Sequence, residues 1–157
     1  MSIAAPTYRE RLYAPWWLWA ICTVIVATFG VAFGFPLGWV AGVAAGVVAE
    51  GAVVWVLVTA SAVVEVRAAA LVAGRATLGY DAMGPVTALD APAAGLLRGR
   101  HADPRAYLLL RPWVPEAVRV DVADPADPTP YWYVSTRRPA AVAEALERAR
   151  SAATRSP

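Results

Sequence analysis

The stretch WVAGVAAGVVAEGAVVWVLV, Trp39 to Val58, decides how this chain is read. It is apolar throughout except for Glu50, and a carboxylate is among the least favourable groups to bury in such a run. As a helix, a run of this length covers the roughly 30 Å of bilayer hydrocarbon. Upstream, Trp16 to Phe35 carries no charge at all and is long enough to do the same. Between them FPLG, with Pro36 and Gly38, supplies a turn. Two transmembrane spans, about 16–35 and 38–60, are therefore expected to form a tight antiparallel hairpin. Trp16, Trp17 and Trp19 at one end, with Trp39 and Trp55, suit interfacial anchors.

The composition agrees. The 157 residues are 59% hydrophobic, with a mean hydropathy of +0.48, too apolar for an ordinary soluble domain. All 14 basic residues, every one an arginine, lie outside the window from Trp16 to Val64, in which Glu50 is the only charged side chain. That segregation marks a membrane segment followed by a water-soluble one. The lone Cys22 lies inside the first apolar run and excludes an intramolecular disulfide or a cysteine metal centre. No arginine-rich helix or basic patch with interleaved aromatics points to nucleic acid. The first run is longer than the apolar part of a signal peptide, lacks a small-x-small cleavage site and is followed at once by a second run. Arg9 and Arg11 precede the first span, the turn is uncharged, and Arg67 and Arg75 follow the second. The positive-inside rule then places both termini in the cytoplasm, with the protein in the plasma membrane.

From Ala62 the pattern changes to short strands. Val64 and Val66 alternate with Glu65 and Arg67, and Ala73-Gly74 reads as a hairpin turn into Ala76–Gly79. Val86–Leu89 and Tyr107–Leu110 are further short runs. Ala117–Val122 is the clearest strand, with Val118, Val120 and Val122 on one face and Arg119 and Asp121 on the other. The turn-rich DPADPTP leads to an aromatic strand, Tyr131–Ser135. A helix over about 139–150 follows, with Pro139 in its first turn, Thr136 or Arg138 near the cap, and an apolar stripe of Val142, Leu146 and Ala149. The expected organisation is a membrane α+β chain. It comprises a cytoplasmic tail, 1–15; a transmembrane helical hairpin, 16–61; a cytoplasmic strand-rich domain closed by a C-terminal helix, 62–150; and a tail, 151–157.

YRERLYAPWWLW (Tyr8–Trp19), YLLLRPWVPEAVRVDVADPADPTPYWYVSTRRP (Tyr107–Pro139) and the helix that follows resemble an actinobacterial family of small integral membrane proteins of unknown function, domain-of-unknown-function family 3093. PYWYVSTRRP is the most specific part. The resemblance implies a two-span plasma-membrane protein and carries no catalytic residues to transfer. In architecture alone, a membrane hairpin followed by a strand-rich domain and a helix is similar to bacterial pleckstrin-homology-like membrane proteins.

Two groups of candidate site residues emerge. In the hairpin, an antiparallel pairing about the turn brings Glu50 level with Thr23. Ala27, Gly30 and Gly34 on the first helix then face Gly38, Gly42 and Gly46 on the second, stripes of the small-xxx-small kind. A charge at mid-membrane costs about 2.5–3.5 kcal/mol on insertion scales, so Glu50 is expected as a neutral acid bonded to Thr23 or to a backbone carbonyl. In the soluble part, Arg98, Arg100, His101 and Arg105 cluster in LLRGRHADPRAY, and Arg137 and Arg138 open the last helix. These six could contact an anion or a lipid headgroup; the plainer reading is a solvated loop. Tyr131, Trp132 and Tyr133 read as core and cross-strand packing.

GxSxG, HExxH, a phosphate loop and GxGxxG after a strand are all missing, so neither a catalytic centre nor a cofactor or metal is expected. The expected function is a membrane-anchored cytoplasmic binding or scaffolding module, facing membrane lipid and a homo-oligomer or membrane-protein partner. The alternative is an oligomeric channel or transporter component in which Glu50 handles protons or cations.

Overall fold

A computed structural model describes residues 7–153. The chain divides into two compact units, Tyr13–Ser61 and the remainder, which joins the segment up to Leu12 with the chain from Ala62 onward.

The first unit is a pair of helices, α1 (Trp16–Leu37) and α2 (Trp39–Thr59). Both are long and apolar enough to cross a membrane. The connection is shorter than the sequence implies. Pro36 stays inside the last turn of α1, where it removes only one donor, and the chain reverses at Gly38 alone. Gly38 has φ +91°, a conformation that side chains with a Cβ rarely adopt.

The second unit begins with a strand where a tail was expected. β1 (Tyr8–Leu12) pairs antiparallel with β2 (Ala62–Val66), from Tyr8 opposite Val66 to Leu12 opposite Ala62. The excursion through α1 and α2 is thus an insertion between two neighbouring strands. β3 (Ala70–Ala73) and β4 (Ala76–Gly79) extend the same sheet in the order β1-β2-β3-β4. The β3–β4 turn is Gly74-Arg75, one residue later than read from the sequence, and Gly74 has φ +65°.

The second sheet, of order β5-β7-β8-β6, is built from β5 (Met83–Leu89), β6 (Tyr107–Leu109), β7 (Ala117–Val122) and β8 (Tyr131–Ser135). Only the β6–β8 pair is parallel. Between β5 and β6 runs a helix not anticipated from the sequence, α3 (Ala91–Arg98), whose last turn overlaps the start of the expected loop; it is capped by the Asp90 carboxylate, which accepts from the Ala93 N–H at 2.9 Å. The closing helix, α4 (Pro139–Ala153), includes the first residues of the expected C-terminal tail. Residues 1–6 and 154–157 of the two expected tails lie outside the described residues.

The alternation seen in the sequence explains the core. Leu12, Val64, Val66 and Leu71 of the first sheet pack with Val118, Val120 and Val134 of the second, and Val142, Leu146 and Ala149 of α4 join them. The other face of the second sheet is covered by α3, where Ala94 and Leu97 meet Ala117, Tyr131 and Tyr133. β8 is therefore buried on both faces, which is why all five of its residues are buried. Tyr107 ties the sheets together: its ring lies 4.4 Å from that of Trp132 and its hydroxyl donates to the Ala73 carbonyl at 2.8 Å.

Candidate functional site

In the helical unit the Thr23 hydroxyl donates to Glu50 Oε1 at 2.8 Å. Glu50 Oε2 is buried and has no hydrogen-bond partner. The carboxyl stands at one end of an apolar groove of about 720 Å³ between the helices, which runs along Ala27, Gly30, Gly34 and Gly46 toward Phe35 and Trp39.

The small residues that allow this approach are not equivalent. A Cβ placed on Gly42 would stand 2.5 Å from both the Gly30 carbonyl oxygen and the Gly34 Cα. Gly30 and Gly34 would each meet Gly42 backbone at ordinary contact distance, 3.4 and 3.5 Å. A Cβ on Gly46 or Gly38 would meet nothing within 4 Å. The helices therefore cross most closely at Gly30, Gly34 and Gly42, while Gly38 serves the reversal of the chain and not the packing. What the seam offers chemically is one carboxyl oxygen already bonded, one without a partner, and an apolar groove leading to it.

In the strand-rich unit the six cationic candidates do not form one cluster. Arg105 makes a forked pair with Asp103, Nε to Oδ1 at 3.2 Å and Nη2 to Oδ2 at 3.0 Å. This pairing with Arg105 holds the Asp103 carboxyl below the usual range and raises the guanidinium. His101 lines a shallow surface cavity with Thr87, Leu96, Arg119 and Asp121, and Arg100 beside it is exposed.

Arg137 and Arg138 are held through their backbones at the start of α4. Glu10 of β1 accepts from the Arg137 N–H at 3.1 Å and from the Thr136 hydroxyl at 2.5 Å, and the Tyr8 hydroxyl donates to the same carboxylate at 3.1 Å. The Thr136 hydroxyl in turn accepts from the Arg138 N–H at 3.1 Å. An acid thus sits at the positive end of the helix dipole and satisfies donors that helix starts leave open. The carboxylate at this helix start comes from the chain's own first strand and meets backbone and hydroxyl donors.

Arg98 belongs elsewhere. At the end of α3 it shares a cavity of about 280 Å³ with Leu110, Arg111 and Pro112. Burial pushes the nearby Tyr133 hydroxyl up, and the Arg98 guanidinium and Ser135 hydroxyl offset part of that. Burial likewise pushes Arg111 down, offset in part by Tyr107. Arg111 was missed in the sequence because it stands alone, between the apolar run Tyr107–Leu110 and Pro112. The available signal was an arginine at the end of the apolar run YLLL. Among the described residues no three metal-ligating side chains come together.

No curated protein matches the chain, and no solved structure does. Residues 7–146, nearly the whole of the described chain, match the family described as protein of unknown function, DUF3093. Both stretches whose motifs carried the resemblance, Tyr8–Trp19 and Tyr107–Pro139, fall inside that match, and the chain belongs to the DUF3093 family.

Proposed function

We propose that α1 and α2 cross the plasma membrane as a hairpin and hold the strand-rich unit at the cytoplasmic face as a binding or scaffolding module. The observation that carries this reading is the outward apolar surface of the helices. α1 buries none of its residues, Phe35 is 95% exposed, and Trp16, Val31, Trp39 and Val48 are exposed as well. A helix that is apolar all round needs a nonpolar surrounding, and the strand-rich unit closes its own core without these helices. Two sheets closed by a C-terminal helix also fit the likeness to pleckstrin-homology-like domains, which is one of architecture. Arg9 and Arg11 precede α1 in the sequence, Arg67 and Arg75 follow α2, and the residues between the helices carry no charge, which supports the cytoplasmic orientation. The partners this reading implies are membrane lipid and a second copy or another membrane protein, with binding and not catalysis as the task. Reporter fusions at either terminus should be active only inside the cell; activity only outside would reject the orientation.

A second reading has one observation in its favour, the open Oε2 of Glu50 at the head of a groove. Two helices cannot enclose a pathway, so a channel or transporter would need several copies. Proteoliposome flux separates the readings. The binding module predicts no proton or cation flux above empty liposomes. Flux that Glu50→Gln abolishes, in a protein that assembles normally, would favour the second.

A further inference from the structure

The structure assigns a small-oxyanion site, for a group of phosphate-monoester charge, to the corner where Arg98 at the end of α3 and Arg111 after β6 line one cavity. The assignment rests on the reading of the strand-rich unit as a binding module and names what that module binds.

Three observations converge. Neither arginine has a carboxylate within ion-pair distance among the described residues, whereas Arg9, Arg67, Arg105 and Arg119 each have one. Two donors are buried without hydrogen-bond partners: Nε of Arg111, which lines the cavity, and the hydroxyl of Tyr133, which lies outside the lining but beside the Arg98 guanidinium and whose residue is 0% exposed. The remaining Arg111 contacts are internal, with Nη1 donating to the Leu110 carbonyl at 2.6 Å and the backbone N–H donating to Ser135 Oγ at 3.1 Å.

A buried donor left open forfeits its hydrogen bond to water, so an arrangement of donors without acceptors is explained by an acceptor that joins it. Bulk water satisfies the exposed Arg98 but not Tyr133. Size and charge narrow the class. A cavity of about 280 Å³ lies at the lower edge of drug-sized pockets, which run roughly 300–1,000 Å³, and suits a group of a few heavy atoms. Two uncompensated guanidiniums match a group of about −1.5 to −2 charge, where a carboxylate would leave one unmatched. The same chemistry could arrive as a free phosphate or as the phosphomonoester headgroup of a lipid.

Inorganic phosphate titrated calorimetrically into the full chain in phosphatidylcholine nanodiscs should bind at one site. Arg98→Gln and Arg111→Gln should each weaken binding about tenfold or more, as expected for a hydrogen-bonded charge. Tyr133→Phe keeps the ring and its packing and should weaken binding a few-fold. Arg100→Gln and Arg105→Gln remove the same charge outside the cavity and should leave it unchanged. Phosphatidic acid in the disc distinguishes the sources: a headgroup ligand competes and suppresses the phosphate titration, whereas a free-anion site titrates as before. No phosphate binding in phosphatidylcholine discs, or binding weakened as much by Arg100→Gln as by Arg98→Gln, overturns the assignment. That failure would leave the anchored-module reading standing, since the reporter and flux measurements decide it without phosphate.

Discussion

At the scale of single residues, two neighbours on α2 make opposite demands. Gly42 has backbone of α1 where a methyl group would go, and Gly46 has open space. Backbone cannot swing aside as a side-chain end can, so Gly42→Ala must push the helices apart. We expect it to cost the hairpin about 1–3 kcal/mol, the range for overpacking, and Gly46→Ala to be near neutral. Reversible unfolding in mixed micelles measures both, and equal effects would show that the close crossing is misplaced. Glu50 matters less by this measure. Interhelical hydrogen bonds in membranes average about 0.6 kcal/mol and reach about 1.7. Glu50→Leu, which leaves the Thr23 hydroxyl without its acceptor, should fall in that range, while Glu50→Gln, which keeps an acceptor, should lose less. Glu50 and Thr23 were legible together from the sequence because the turn at Pro36–Gly38 set the antiparallel register. Which glycine carries the crossing was not, since a one-residue reversal at Gly38 takes that glycine out of the packing stripe.

At the scale of elements, legibility followed how much of a pattern lies within one element. β7 and β8 appear with the boundaries read from the sequence, because alternating valines and an aromatic run are strong local signals. α4 was readable from its apolar stripe. Leu146 is 0% exposed between the sheets, so Leu146→Ala should cost about 2–5 kcal/mol, read as a lower unfolding midpoint of the strand-rich unit. An unchanged midpoint would show that the helix does not dock. α3 is short, with Gly95 in its interior and Arg98 at its end, and resembles a loop unless Asp90 and Pro92 are recognised as its start. β1 was illegible for another reason. YRERL has one buried apolar residue, Leu12, and its partner strand lies beyond both helices. Its evidence is entirely non-local: Arg9 and Arg67 hold the mostly buried Glu65 at 3.2 and 2.7 Å, and Glu10 reaches the start of α4. Glu10→Ala should therefore act on α4 as loss of a cap does, by about 0.5–2 kcal/mol, with raised amide exchange in its first turn.

At the scale of the whole molecule, burial raises Tyr8, Tyr80, Tyr107 and Tyr133 above the ordinary tyrosine value near 10. Raised folded values mean that the neutral forms are favoured on folding. The associated stability is fully present below pH 10 and is lost as pH rises through the folded values. Thermal unfolding of the strand-rich unit should thus be insensitive to these groups between pH 8 and 9.5 or so, and its midpoint should fall beyond about 10; a midpoint that rose there would contradict the buried hydroxyls. The insertion of the helices between paired strands makes a second demand. A fragment starting at Val66 lacks β1 and nearly all of β2 and should not fold. A chain in which Asn-Gly replaces 13–61, joining Leu12 to its partner Ala62 by a two-residue turn, should fold in water with the same sheet. Circular dichroism and amide exchange of the two versions decide this.

The same pairing also sets an order in time. During synthesis Tyr8–Leu12 leaves the ribosome before either helix exists, and the strand that completes its ladder is made only after both. β1 must wait, without its partner, while the apolar helices are produced and disposed of. A finished first sheet is consequently a record that both helices have already been made, and a chain that stalls within them carries an open strand edge for quality control to find.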